Sequence, residues 1–333
     1  MSPSGVLVVG SITTDVTAFA DRLPRPGETV LGNDVTIVLG GKGANQAAAS
    51  ARFGTPTWMV GCVGDDPFAE LASAGLRRHG VQTDLVRAVD GPTGVAHIRV
   101  DASGQNDIVI TPLANTLLDD GQVDAGLAAV RADVSVLLLQ LEIRASVTAH
   151  AAAVGARAGL TVVLDPAPAI TVPDDIWPHV DIVTPNESEA SILTGIEVTD
   201  ESTAARAGQW FLGRGVRHAV ITLGDAGALL VSAGAEPQLF PSCPVEALDT
   251  TAAGDAFTGT LGAALAAGAE LRDAVRYGMA AGALAVTRAG ASASLPDREE
   301  VLALAASESQ VSSSLRDRAR LGCTRMGSPG IFG

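Results

Sequence analysis

The sequence predicts an α/β fold, a three-layer sandwich with a mostly parallel central sheet, plus a small β-sheet lid. Two observations carry this. Short apolar runs alternate with Ala-rich helical stretches along most of the 333 residues, and parallel strands joined by helices bury both. Two stretches, 13–38 and 93–110, break that rhythm with β-type residues and no helix, so they read as a separate sheet.

The elements follow in order. Val6 to Gly10 is a continuous apolar run ending in Gly, as a buried parallel strand should be. Ala44 to Phe53 reads as a helix closed by Gly54, and Thr57 to Cys62 as a strand. Asp66-Pro67 starts the next helix, with Asp at the cap and Pro at the first position. Val134 to Leu139 and Thr161 to Leu164 read as strands around a helix over Ala145 to Ala158, which Gly159 closes. Asp181 to Thr184 is a strand, followed by helices over Glu187 to Leu193 and Glu201 to Leu212. Ala219 to Leu223 and Ala228 to Val231 form a hairpin across Gly224-Asp225-Ala226-Gly227. Val245 to Leu248 reads as a short strand, and Asp255 to Ala267 and Leu271 to Thr287 as two long helices. The lid would be too thin to bury both faces, so one should cover a substrate site or a second subunit. From Ser307 the chain is Ser- and Arg-rich without periodicity. It reads as a mobile tail over 307–333 behind a domain over 1–306, or as the product of a shifted reading frame.

The net charge of −15 argues against nucleic acid as a partner, because that binding is dominated by basic contacts to phosphate. It also means that a polyanionic substrate must be received by a local site. Cys62, Cys243 and Cys323 show no metal spacing and no disulfide framework, which fits a reducing compartment. With no signal peptide and no run long enough to span a bilayer, the expectation is a cytoplasmic protein with no membrane partner. Lys42 is the only lysine; every other long basic side chain is Arg. Arg can replace Lys where only charge matters, but not where a compact ammonium must fit a site.

The most informative segment is Asp249-Thr250-Thr251-Ala252-Ala253-Gly254-Asp255. Ala252 to Asp255 should form a strand-to-helix turn whose small side chains leave the first helical N–H groups uncovered. Such a turn seats an anion. An acid there repels phosphate, so Asp255 makes sense as a base that takes a proton from a nucleophile attacking that phosphate. The alternative is a first-turn acid that only complements the helix dipole.

Other constellations are weaker alone. Asp15, after the first strand, could accept from two neighbouring hydroxyls of a sugar, or cap a turn. Gly40-Gly41-Lys42-Gly43-Ala44-Asn45 is neither a Walker A loop nor a dinucleotide fingerprint. Its glycines allow close approach and a hinge, and Lys42 and Asn45 share a face at a helix start. Asn186-Glu187-Ser188-Glu189 reads as a capping box, or as a site where Glu189 acts on a metal–phosphate complex through water. The five histidines show no paired spacing, so no zinc site is expected.

Taken together and in order, these pieces resemble the ribokinase family of sugar kinases. The matching residues are Gly10-Ser11 with Asp15, Leu23-Pro24 with Pro26-Gly27-Glu28-Thr29, Gly40 through Gln46, Gln140-Leu141-Glu142, Asp165-Pro166-Ala167-Pro168, Thr184 through Glu187 with Glu189, Ile221 through Gly224, Asp249-Thr250 with Ala252 through Asp255, and Ala285 through Arg288 with Gly290-Ala291. The resemblance covers about Gly5 to Leu304. It implies a kinase domain with a β-sheet lid and a homodimer in which two lids pair.

It further implies ATP-dependent phosphorylation of D-ribose at its 5-hydroxyl. By matching position, Asp15, Gly41, Lys42, Asn45 and Glu142 would surround the sugar, with Asp255 as base and Ala252, Ala253 and Gly254 as anion hole. Asn186, Thr222, Gly224, Gly227, Gly254 and Met279 would line the ATP site, with Glu189 ordering Mg2+ through water. Asp249, Thr251, Ala285, Arg288, Gly290 and Ser294 would hold an activating K+. Family members commonly carry Asn two residues before the sugar-binding Asp; Thr13 stands there, with a hydroxyl in place of an amide. That departure leaves room for a sibling kinase of deoxyribose, another pentose or hexose, or adenosine. A sugar-binding regulator without catalysis is the reading from another class.

Overall fold

The computed structural model describes residues 4–307, so the tail from 308 onward lies outside the described residues. Nine strands form the central sheet. They are β1 (Gly5–Val9), β4 (Thr57–Val63), β5 (Val86–Ala88), β8 (Val134–Leu139), β9 (Thr161–Leu164), β10 (Ile182–Val183), β11 (His218–Thr222), β12 (Ala228–Ser232) and β13 (Gln238–Phe240). Their spatial order is β13-β12-β11-β10-β9-β8-β1-β4-β5. Pairing is parallel from β11 to β5, and β12 and β13 add antiparallel at one edge.

Strand alternation builds two cores. Val6, Val8, Val136 and Leu138 face one layer, while Leu7, Val9, Leu137 and Leu139 face the other. The first layer holds α1 (Lys42–Arg52), α2 (Pro67–Arg78), α7 (Ala253–Ala266) and α8 (Leu271–Ala285). The second holds α3 (Asp120–Val130), α4 (Ala145–Arg157), α5 (Glu187–Thr194) and α6 (Glu201–Leu212). This is the three-layer sandwich that the alternation of runs predicts.

The lid sheet contains β2 (Thr13–Phe19), β3 (Asp34–Gly40), β6 (Gly94–Val100) and β7 (Asn106–Thr111), in the order β3-β2-β6-β7. Its registers align Val38, Asp15, Ala96 and Ile110 in one row and Ile37, Val16, His97 and Val109 in the next. Neighbouring rows face opposite sides of a sheet. Ile37, Val109 and Ile110 are all exposed, so apolar surface is open on both faces.

One expectation needs correction. Val245 to Leu248 is not a strand. The N–H groups of Leu248 and Asp249 donate to the carbonyl of Val286, at the end of α8, and not to a sheet strand. The turn before α7 is therefore loop-to-helix. Asp15 lies in the lid strand β2, within the 13–38 stretch read as that sheet, and Gly10-Ser11-Ile12 crosses directly from β1 to it. Helix α3 has no counterpart in the sequence reading; its apolar stripe (Val123, Leu127 and Val130) is interrupted by Asp124 and two glycines.

Candidate active site

The site forms where the lid strands, the start of α1 and the start of α7 meet. Strand β3 runs through Gly40 and Gly41 directly into α1. A Cβ on Gly40 would stand 2.0 Å from Asp15 Oδ1, so the absent side chain is what lets the Asp15 carboxylate lie over the β3 backbone. Gly41, at φ 89, makes the corner between strand and helix, a conformation that side chains disfavour.

Thr13 donates its hydroxyl to Asp15 Oδ1 at 2.8 Å. Burial, with help from the Glu142 and Asp255 charges and against the Thr13 bond, pushes the Asp15 carboxyl up to about 6. Glu142 Oε2 accepts from the Ser11 hydroxyl at 2.6 Å and from the Lys42 backbone N–H at 2.9 Å, so it is tied to the first turn of α1.

Asp255 is 4 % exposed and lies on the wall of a cavity of about 200 Å³. Asn45 Nδ2 donates to its Oδ2 at 3.0 Å and Gln46 Nε2 to its Oδ1 at 3.2 Å. Lys42 Nζ stands 4.0 Å from Asp165 Oδ2 on the same wall. Burial opposes the Lys42 ammonium, but Asp255, Asp165, Glu142 and Glu189 outweigh it and hold the group above the ordinary lysine range. Burial likewise drives the Asp165 carboxyl well above the usual carboxylate range, with Lys42 opposing.

Ala252, Ala253 and Gly254 complete that wall. Ala252 caps α7 in the left-handed region, at φ 60. The Ala253 N–H makes a long 3.3 Å bond to the Thr250 carbonyl, whereas those of Gly254 and Asp255 have no protein acceptor among the described residues. A Cβ at Gly254 would meet nothing within 4 Å. Open amides at a helix start can receive an anion.

Asn186, Glu189 and Thr222 also line the cavity. The capping box is present: Asn186 Oδ1 accepts from the Glu189 N–H at 2.8 Å, and Glu189 Oε2 accepts from the Asn186 N–H at 2.9 Å. It leaves the second Glu189 oxygen unused. Gly224 and Gly227 make the β11–β12 turn just beyond Thr222, both at positive φ. Met279, on α8, is half-buried against the core and is not among the cavity residues.

Asp249 ties two loops together behind the α7 turn. Its Oδ1 accepts from the Thr251 N–H at 2.9 Å and its Oδ2 from the Gly290 N–H at 2.8 Å. Burial would raise this carboxyl, but those bonds outweigh it and lower it. The Ala285 carbonyl accepts from the Arg288 N–H, the Arg288 guanidinium turns away to Glu300, and the buried Ser294 hydroxyl donates to the Ala291 carbonyl at 2.8 Å. Among the described residues no cluster of three or more His, Cys, Asp or Glu is arranged to hold a metal. One free carboxylate oxygen on Glu189 still fits a hard cation that arrives with phosphate and water as its other ligands. Both Asp249 oxygens and the Ala285 and Ala291 carbonyls already accept protein hydrogen bonds.

Gln46, Gln140 and Asp165 also belong to this site, although the sequence assigned them no role. All three lie inside matched motifs, but the hydrogen-bond chain that joins Gln140 and Asp165 to Asp255 through Gln46 has no trace in the sequence.

The profile described as pfkB family carbohydrate kinase matches residues 4–298. The chain belongs to this family of carbohydrate kinases. Within the family it is similar to ribokinases. It is 39 % identical over 296 residues to the Ribokinase of Haemophilus influenzae, covering 89 % of this chain and 96 % of that protein. The structure of Arabidopsis thaliana Ribokinase complexed with ribose and ATP superimposes with a TM-score of 0.83 at 34 % identity, over 92 % of this chain and 99 % of that one. The Deoxyribokinase of Salmonella typhi is 32 % identical over 297 residues, 89 % of this chain and 96 % of that protein.

Proposed function

We propose that this protein transfers the terminal phosphoryl group of ATP to O5 of D-ribose, giving D-ribose 5-phosphate. One observation carries the reading: the buried Asp255 carboxylate and the open amides of the α7 start share one cavity wall. The similarity to ribokinases over nearly the whole described chain supports the choice of sugar.

In this reading Asp15, Gly41, Lys42, Asn45 and Glu142 hold the sugar hydroxyls, with Thr13 orienting Asp15. Asp255 accepts the O5 proton as the oxygen attacks. The turn Ala252–Ala253–Gly254 receives the migrating phosphoryl group, and Lys42 adds positive charge beside it. Asn186, Thr222, Gly224, Gly227 and Met279 flank the nucleotide. Mg2+, when bound, would neutralise phosphate charge, with Glu189 as its protein contact through water. K+ near Asp249, Thr251, Ala285, Arg288, Gly290 and Ser294 would stiffen the phosphoryl-binding turn.

We further read the protein as a cytoplasmic homodimer joined through its lids. Among the described residues no helix is long and apolar enough to cross a membrane.

Asp255→Asn should lower turnover by about 10²- to 10⁴-fold while sugar binding persists in calorimetry; near-normal turnover refutes the base assignment. A panel of ribose, deoxyribose, fructose and adenosine, run in potassium and in tetramethylammonium, tests the substrate and the cation together. Ribose should give the highest kcat/KM, and activity should fall without potassium. A preference for another acceptor moves the reading to a sibling kinase. Equal rates in the two salts remove the cation site.

A further inference from the structure

We propose that Gln46 is a positioning residue for the Asp255 carboxylate, and that Asp165 and Gln140 hold its amide in place. This rests on the reading of Asp255 as the base.

Gln46 is fully buried on α1. Its Oε1 accepts from Gln140 Nε2 at 2.6 Å. Its Nε2 donates in two directions, to Asp165 Oδ2 at 2.8 Å and to Asp255 Oδ1 at 3.2 Å. Asn45, the preceding residue, donates to the other Asp255 oxygen at 3.0 Å. Two successive amides of one helix therefore hold the two oxygens of the base.

The orientation of Gln46 is set by the Asp255 carboxylate that it faces. An ionised Asp255 accepts and cannot donate, so a flipped Gln46 would set its carbonyl against the carboxylate that now receives its N–H. Gln140 in turn needs room: a Cβ on Gly10 would fall 1.9 Å from Gln140 Oε1, and Gly10 provides that space.

Asp165 is the titratable group that the transfer itself leaves unused. It is 4 % exposed, stands beside Lys42 and takes the second Gln46 hydrogen. The network is buried, and among the described residues Asn45 Oδ1 and Gln140 Oε1 have no protein partner in it. Here it spans the ammonium on the sugar side and the carboxylate that takes the proton. Its consequence is geometric. With both oxygens tethered from α1, Asp255 cannot rotate away from the cavity, and the lone pair facing O5 stays aligned. Small displacements of a reacting group have large effects on rate.

The test is steady-state kinetics on the full chain, with sugar affinity by calorimetry and thermal unfolding as controls. Gln46→Leu should lower kcat by about 10- to 100-fold with little change in sugar KM or affinity. Asp165→Ala should lower kcat in the same sense, and Asp165→Asn should recover most of that loss, because its amide oxygen can accept the same Gln46 hydrogen. A folded Gln46→Leu with wild-type kcat overturns the proposal, as does a loss expressed wholly in KM. If Gln46→Leu does not fold, the Asp165 pair decides: equal kcat in Asp165→Ala and Asp165→Asn overturns it. Asp255→Asn is run alongside. If it turns over normally, the base assignment fails and the positioning role falls with it. If it is inactive while Gln46→Leu is normal, only the positioning role fails.

Discussion

Asp15 and Asp255 are both buried carboxylates, yet their partners prepare them for different tasks. Asp255 is held by two amides of α1 and faces the cavity. Asp15 has one hydroxyl partner and two carboxylates nearby, and its carboxyl is pushed up to about 6. Because the folded value lies above the ordinary 3.8, Asp15 binds its proton more readily in the folded protein. Its contribution to stability is full below the unfolded value and is lost as pH rises through about 6. Sugar binding runs the other way, since an ionised Asp15 is the better acceptor for hydroxyls. Sugar KM should therefore rise as pH falls below 6, by roughly tenfold at pH 5, with kcat less affected. Replacing Asp15 with Asn should abolish that limb in a KM–pH profile; a limb that survives assigns it elsewhere.

At the scale of elements, the closeness of α1 and α7 brings Asn45 and Gln46 to Asp255. Gly259 permits this contact: a Cβ there would lie 2.5 Å from the Gln46 carbonyl oxygen and 2.6 Å from Ala49 Cβ. Ser50 locks the pair by donating to the carbonyls of Gln46 and Gly259. Gly259→Ala must push the helices apart. It should destabilise the fold by about 1–3 kcal/mol, measured by chemical unfolding, and should lower kcat because Asn45 and Gln46 no longer reach Asp255. Unchanged stability and rate would mean that α1 and α7 can slide freely. Ala252 makes a related demand, because its left-handed backbone suits a small residue. Ala252→Val should cost about 1–2 kcal/mol or more and slow turnover, and a variant of wild-type stability would show that the turn tolerates a β-branched side chain.

Across the whole molecule, the lid and the sugar site are one continuous structure. Thr13 opens β2, Gly40 closes β3, and the next helix carries Lys42, Asn45 and Gln46. Movement of the lid must therefore move Asp15, Lys42 and Asn45, the residues proposed to hold the sugar. The lid also exposes apolar side chains on both faces, which a lone thin sheet cannot cover. Ile37→Asp and Ile110→Asp place a charge on opposite faces. At least one should convert a dimer to a monomer in sedimentation equilibrium and raise sugar KM. A protein that is monomeric to begin with, or a dimer unaffected by either change, removes the lid from the interface.

Sequence patterning determined the layers, because a buried parallel strand and an Ala-rich helix each leave a local signature of burial. The same holds for the small-residue turn before Asp255, whose chemistry depends on backbone amides left bare within four residues. It did not reveal α3, whose stripe is diluted by Asp and Gly, or the loop at 245–248, whose partner is a helix end nearly forty residues away. Nor could it join Gln46, Gln140, Asp165 and Asp255, which four separate segments supply. Hydrogen bonds between such segments depend on how α1 and α7 settle on the sheet. Chain order carries no trace of that contact, and only the folded molecule decides it.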